Sequence, residues 1–153
     1  MPTFHSASPV LNCAPAALRA FLGRPANIPQ ISNPDLELEI LSAPAEVAVG
    51  QKIEFRITAY GFKQRVTHEY LAVAEDLIDE KQIDGPLRAW HSTQRIETVS
   101  DESCRLIDQI EFECPGGMLG YLLTESRIRQ SIEDGMTFRY STLQELIASG
   151  VIA

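Results

Sequence analysis

A chain of 153 residues is long enough to bury a sizeable core, and 44% hydrophobic with 22% charged content is ordinary for a soluble globular domain. The formal net charge of -8 repels phosphate backbones and anionic membrane surfaces, which sets nucleic acid aside as a partner. No apolar run approaches the ~18 residues of a membrane span, so no integral membrane association is expected.

The N-terminal Met1-Pro2-Thr3-Phe4-His5 has neither a basic nor an apolar targeting region, which predicts a cytoplasmic protein. Its three cysteines, Cys13, Cys104 and Cys114, fit that setting as buried, inert thiols. Cys104 and Cys114 fall on one predicted strand, ~33 Å apart if extended, too far to bridge. There is no C-x-x-C pair, and the three histidines are scattered, so no metal and no cofactor are expected.

In chain order, Thr3 to Leu11 is β-compatible, with Pro9 favouring an edge position. Ala14 to Leu22 reads as a short helix with Pro15 in its first turn, Leu18, Phe21 and Leu22 on one side, and Gly23 ending it. Pro25, Pro29 and Pro34 then permit only short helical turns. From Leu36 the period becomes two, with Leu36, Leu38 and Ile40 alternating against Glu37 and Glu39 as a half-buried strand. Ile53, Phe55 and Ile57 form one face of the next strand, and Val66, His68 and Tyr70 one face of its partner. A two-residue type II′ turn with Gly61 first would set Ile57 opposite Val66, Phe55 opposite His68 and Ile53 opposite Tyr70.

Leu77 to Asp84 is a further strand, stopped by Gly85-Pro86. Arg88–Val99 and Ser103–Cys114 make a last hairpin, in which an even register sets Gln94 against Asp108, Ile96 against Leu106 and Trp90 against Phe112. After Pro115-Gly116-Gly117, Met118 to Ile147 carries Leu119, Leu122, Leu123, Ile128, Ile132, Met136, Tyr140, Leu143 and Ile147 at helical spacing. About 30 residues make a rod of roughly 45 Å, whose broad apolar face needs a partner. The expected fold class is α+β. A strongly curved antiparallel sheet of about seven strands wraps a long C-terminal helix, with two short helices after strand 1, in one domain spanning residues 1–153.

The inward face of that sheet is unusual. Beside Trp90, Ile96, Leu106, Ile110 and Phe112 it carries Ser92, Gln94 and Asp108, and neighbouring strands add His68, Tyr70, Glu80 and Gln82. Burying an unpaired polar group costs roughly 1–3 kcal/mol, so such groups must pair with one another or border a cavity. A bent sheet around a helix leaves such a cavity, and apolar walls with a few placed polar groups make a small-molecule pocket.

The run Ile78-x-Glu80-x-Gln82-x-x-Gly85-Pro86-Leu87-x-x-Trp90-x-Ser92-Thr93-Gln94-x-Ile96 resembles a pattern of bacterial SRPBCC proteins, the START-like, polyketide cyclase/dehydrase-like superfamily with the helix-grip fold. Asp108-Gln109-Ile110-Glu111-Phe112-Glu113-Cys114-Pro115-Gly116-Gly117 resembles the stretch leading into that group's long helix. The element order fits over nearly the whole chain. The group's His-Thr-His pair is replaced by Ser92 and Gln94, and the aromatic after Gly-Pro by Leu87. Strand alternation turns His91 to the opposite face, which leaves His68 as the one histidine expected inside.

The resemblance implies a cavity that binds a small hydrophobic or amphipathic molecule, in a monomer or homodimer. Phe55, Val66, Tyr70, Trp90, Ile110, Phe112, Met136 and Tyr140 would give apolar contact. His68, Gln82, Ser92, Gln94 and Asp108 would orient the ligand's polar end, and neutral groups in place of imidazoles favour an uncharged hydroxyl or carbonyl. A second expectation is a cyclase, dehydratase or hydrolase of polyketide-like or aromatic substrates, with Asp108, Glu80 and His68 as candidate acids and bases. A third is a protein-interaction or regulatory domain with a vestigial cavity.

Overall fold

Seven antiparallel strands form one sheet in the spatial order β1-β7-β6-β5-β4-β3-β2, so consecutive hairpins run from β2 to β7 and only β1 is inserted out of sequence. The structure is a computed structural model and describes residues 1–153. The strands are β1 (Thr3–Ala7), β2 (Glu39–Ser42), β3 (Lys52–Ala59), β4 (Phe62–Ala74), β5 (Leu77–Asp84), β6 (Ala89–Ser100) and β7 (Ser103–Glu113). The helices are α1 (Pro15–Leu22), α2 (Leu119–Leu122) and α3 (Glu125–Ala148), with 3-10 segments at Pro25–Ile31, about two turns, and at Pro34–Leu36, one turn. No helix is long and apolar enough to cross a membrane.

Register shifts interrupt the ladder at Thr67/His68, Tyr70/Ala72 and Thr98/Ser100, and such bulges bend and twist a sheet. The bend carries both β3 and β7 round to α3. Two buried clusters result. Ile128 and Ile132 of α3 pack with Ile110, Phe112 and Leu123. Tyr140 and Leu143, further along the same helix, pack with Leu18, Ile53, Ile78, Ile96 and Leu106. The two apolar patches of one helix thus close the two ends of the interior.

Several expectations hold at the level of register. Gln94 lies opposite Asp108, Ile96 opposite Leu106 and Trp90 opposite Phe112. Pro15 starts α1, and Gly23 N–H donates to Arg19 O at 2.9 Å as it ends. β1 is an edge strand, although it stops at Ala7 and Leu11 makes only a separate bridge to Cys104.

Three expectations are corrected. The strand expected from Leu36 begins only at Glu39, because the 3-10 turn reaches Leu36 and Glu37 takes a left-handed φ of 47°. The β3–β4 turn centres on Tyr60 and Gly61, with φ of 51° and 79°, the type I′ conformation. It pairs Ile57 with Gln64, Phe55 with Val66 and Ile53 with His68, two residues from the expected register. A two-residue slip keeps every side chain on its face, so hydrophobic alternation does not discriminate against it. Finally, the helix expected from Met118 is broken. Leu123 leaves helical geometry at φ -98°, ψ 70°, and Thr124 restarts the chain as an N-cap whose hydroxyl accepts from Arg127 N–H.

Candidate functional site

Between the sheet and α3 lies a cavity of about 320 Å³. Its sheet wall includes Phe55, Ile57, Val66, Trp90 and Ile110, and its helix wall is Ile128, Ser131, Ile132, Gly135, Met136 and Arg139. Those helix positions recur at three- and four-residue steps, one stripe of α3. Gly135 belongs to the stripe, and a Cβ placed there would meet no atom within 4 Å. The helix therefore lacks a side chain where the cavity needs room.

The polar side chains enter from particular strands. His68 Nδ1 lies 3.2 Å from Glu80 Oε2, and both side chains are nearly enclosed. With Nδ1–H donated to the carboxylate, Nε2 is left as an acceptor on the cavity side. The ring of Phe55 meets that of His68 edge-on, 5.0 Å between centroids. Gln82 Nε2 donates to Leu87 O at 2.7 Å, which leaves its amide oxygen as a further acceptor.

Arg139 supplies the donors. Its Nη2 donates to Gln94 Oε1, and its Nε sits 3.5 Å from Asp108 Oδ2 without a hydrogen-bond partner. A guanidinium carries five N–H donors. Only the bond to Gln94 is made, so Arg139 has donors to spare at the cavity wall.

Behind this wall a polar belt crosses the sheet. Adjacent-strand pairing sets His68 by Gln82, Tyr70 by Glu80, Glu80 by Ser92, Gln94 by Asp108, and Asp108 by Ser6. Asp108 is buried, and Tyr140 Oη donates to its Oδ2 at 2.8 Å while standing 3.0 Å from Ser6 Oγ. Burial, then the charge of Asp108, pushes the Tyr140 phenol above its ordinary range. Burial and the charge of Glu80 do the same to Tyr70. Both phenols therefore stay protonated as donors.

Of the thirteen predicted ligand contacts, seven line the cavity: Phe55, Val66, His68, Gln82, Trp90, Ile110 and Met136. The other six do not. Tyr70 and Gln94 border a separate space of about 80 Å³ beside Glu80 and Arg139. The register slip explains Tyr70, which lies beyond the β3 ladder and exchanges backbone hydrogen bonds with Gln51 and Gly50 instead. Phe112 is wholly buried under α3, with the Arg129 guanidinium 5.6 Å from its ring centroid. Asp108 and Tyr140 face each other in the belt, and Ser92 stands between Glu80 and Ile110 on neighbouring strands. As a candidate acid or base Asp108 is thus enclosed away from the cavity, whereas His68 lines it and Glu80 backs His68.

Sequence reasoning missed Arg139, Gly135 and Gln64. Arg139 follows Ile132 and Met136 at helical steps, so the spacing that marked the apolar face also marked this one cation on it. His91 points to the other face, where it pairs with Asp79. Cys13 and Cys104 meet as buried free thiols, 3.9 Å apart, an encounter the sequence spacing did not suggest. No group of His, Cys, Asp and Glu side chains stands close enough to hold a metal ion.

No protein-family model matches the chain, and no curated protein matches it in sequence. Solved structures do match in shape. A START superfamily protein from Mycobacterium smegmatis superimposes with a TM-score of 0.74 at 10% identity, over 96% of this chain and 97% of its own. An aromatase/cyclase from a Streptomyces species gives 0.73 at 17% identity, over 99% and 98%. The fold is the START-like helix grip. A norcoclaurine synthase from Thalictrum flavum, solved with dopamine and hydroxybenzaldehyde, shares it with a TM-score of 0.67 at 14% identity, over 97% of this chain and 87% of that one. In helix-grip terms, β1 to β7 form the grip and α3 is the helix held, with the cavity along its N-terminal half.

Proposed function

We propose that this helix-grip chain is a binding protein for a small hydrophobic or amphipathic molecule with an uncharged polar end. The cavity carries the reading: about 320 Å³ of space under mostly apolar walls, left open by Gly135. Small-molecule pockets run from ~300 to 1,000 Å³, so this one suits a one- or two-ring molecule better than a sterol or a two-chain lipid. The aromatic molecules in the norcoclaurine synthase structure are of that size class. Charge supports a neutral end group, since Arg139 is faced by Asp108 and His68 by Glu80. A carbonyl would accept from Arg139, and a hydroxyl would donate to His68 Nε2 or the Gln82 amide oxygen. Of the five polar side chains expected from the sequence to hold the ligand, His68 and Gln82 keep that role in this reading, and Arg139 takes the place of Ser92, Gln94 and Asp108.

Gly135→Leu tests this. Its Cβ would meet no atom within 4 Å, its remaining carbons would extend into the cavity, and leucine is a better helix former than glycine, so the fold should hold or gain stability. Titration with acetylnaphthalene, followed by Trp90 fluorescence, should give saturable binding to the wild type and at least tenfold weaker binding to the variant. Equal affinity in a folded variant would remove the cavity as the site. Naphthoate, the charged counterpart, should bind the wild type more weakly than the ketone.

One observation favours a catalytic second reading, the pairing of His68 with Glu80. A carboxylate holding Nδ1–H orients the imidazole for proton abstraction at Nε2. Turnover of an aromatic or polyketide-like carbonyl substrate, lost in His68→Gln while acetylnaphthalene still binds, would promote it. The interaction-domain reading called for a filled cavity, and the open space gives it no support.

A further inference from the structure

Cys13 and Cys104 lie 91 positions apart in the chain, yet backbone pairing holds their sulfur atoms together in the larger core cluster. Leu11 N–H donates to Cys104 O at 2.7 Å, and Cys104 N–H donates to Leu11 O at 3.0 Å. Just before that bridge, Ser8 N–H donates to Leu106 O at 2.8 Å, and Ser8 Oγ accepts from Leu106 N–H at 2.9 Å. The stretch from Ser8 to Leu11 is thus laid along β7, and Cys13 follows two residues later. Its Sγ stands 3.9 Å from that of Cys104, with the two residues 6% and 0% exposed. A disulfide brings its sulfurs to about 2 Å, so each has to move by about 1 Å. Cys114 packs against the other apolar cluster and does not compete for either thiol.

The pair sits where it bears on the cavity. From residue 12 to residue 38 the chain pairs with no strand. Its hydrogen bonds to the rest of the fold run from Arg19 Nε to Ala74 O at 2.7 Å and from Val47 N–H to Gly23 O at 2.8 Å. Ile31, Ser32, Asn33 and Leu36 of this stretch wall the cavity. A covalent bond at Cys13, two residues before α1, anchors the stretch at its N-terminal end.

The chemistry needs an oxidant and an opening. Burial pushes the Cys13 thiol upward and the Cys104 thiol up to about 12, so neither is a ready thiolate in the folded core. Reaction therefore belongs to the folding chain, before the sulfurs are enclosed. With glutathione disulfide as oxidant, the Cys13 thiolate attacks one of its sulfurs and expels one glutathione thiolate, leaving a mixed disulfide on Cys13. The Cys104 thiolate then attacks the Cys13 sulfur and expels the second glutathione. The two protons lost by the protein thiols end on the two glutathiones, so the protein loses two electrons and the glutathione disulfide gains them.

We propose that Cys13 and Cys104 are a disulfide-forming pair, held as thiols under reducing conditions and joined when the chain folds in the presence of glutathione disulfide. The bond closes a long loop and so removes conformational freedom from the unfolded chain. The proposal stands independently of the ligand-binding reading.

Refolding the full chain from urea, with reduced and oxidised glutathione or with a thiol reductant alone, tests the proposal. The glutathione-refolded wild type should be about 2 Da lighter, the mass of two hydrogens. Peptide mapping should join residue 13 to residue 104 and leave Cys114 free for alkylation. The oxidised form should melt roughly 5–15 °C above the reduced form. Amide hydrogen exchange in α1 should slow severalfold on oxidation. Cys114→Ser should behave as the wild type, and Cys13→Ala and Cys104→Val, each tested because either may fold poorly, should show neither the mass loss nor the rise in melting temperature. A refolded wild type that keeps both hydrogens, a bond mapped to Cys114, or an oxidised form that melts no higher than the reduced one overturns the pairing. Unchanged exchange in α1 overturns the anchoring of that stretch.

Discussion

Asp108 and Tyr140 show how one residue can look functional in a sequence and be structural in the fold. A carboxylate on an inward strand face invites a catalytic reading, yet at 3% exposure it accepts from Tyr140 Oη at 2.8 Å and lies beside Arg139. Removing that donor leaves a buried carboxylate short of a partner, at about 1–3 kcal/mol. Tyr140→Phe should lower the urea-unfolding free energy by that amount with little change in acetylnaphthalene affinity. A wild-type-like stability would mean that Arg139 alone satisfies Asp108. Arg139 is the converse case, since a cation on an apolar helix face turns out to be the cavity's donor.

The elements obey local rules that the sequence displays, and the exceptions occur at their junctions. Type I′ geometry suits a two-residue hairpin because its twist matches that of the strands, and it requires positive φ at both Tyr60 and Gly61. A side chain at position 61 is strained at φ 79°, so Gly61→Ala should cost about 1–2 kcal/mol in thermal or urea unfolding. No loss would argue that the turn has another conformation in solution. The split between α2 and α3 follows the same logic. Thr124 is a capping residue inside a continuous apolar period, and the cap overrides the period. The break frees Met118 to Leu123 to fold over the mouth of the cavity rather than extend the rod.

At the scale of the whole molecule, four buried acids have their ionisation delayed together, Cys13 through its burial among them. Burial and the adjoining Cys13 push the Cys104 thiol from 9.0 to about 12, and burial pushes Tyr70 and Tyr140 upward from 10.0. Because the folded values are raised, the stability these groups lend is complete below about pH 9. It is lost as pH rises toward 12, where the unfolded chain ionises first. The urea midpoint should therefore fall between pH 9 and pH 11, less steeply in Cys104→Val. A flat profile would show that these groups are open to water. The polar belt and the two apolar clusters explain why the interior holds a space at all. Paired charges fix the spacing between sheet and helix, and the clusters clamp the helix at either end of it.

The sequence by itself determined which residues face inward and in what order the elements run, because a strand's period of two and a helix's of 3.6 are local properties. That is why the seven cavity residues read in advance are all on the correct face, whereas the pairing of Gln94 with Asp108 needed the β6–β7 loop to set the register as well. How far along each strand the cavity extends was settled only by tertiary structure. A two-residue step of roughly 7 Å changes no face but carries a side chain from the cavity to the belt, as it separates Ile110 from Asp108. Depth depends on where α3 crosses the bent sheet, and that crossing is set by contacts between residues far apart in the chain.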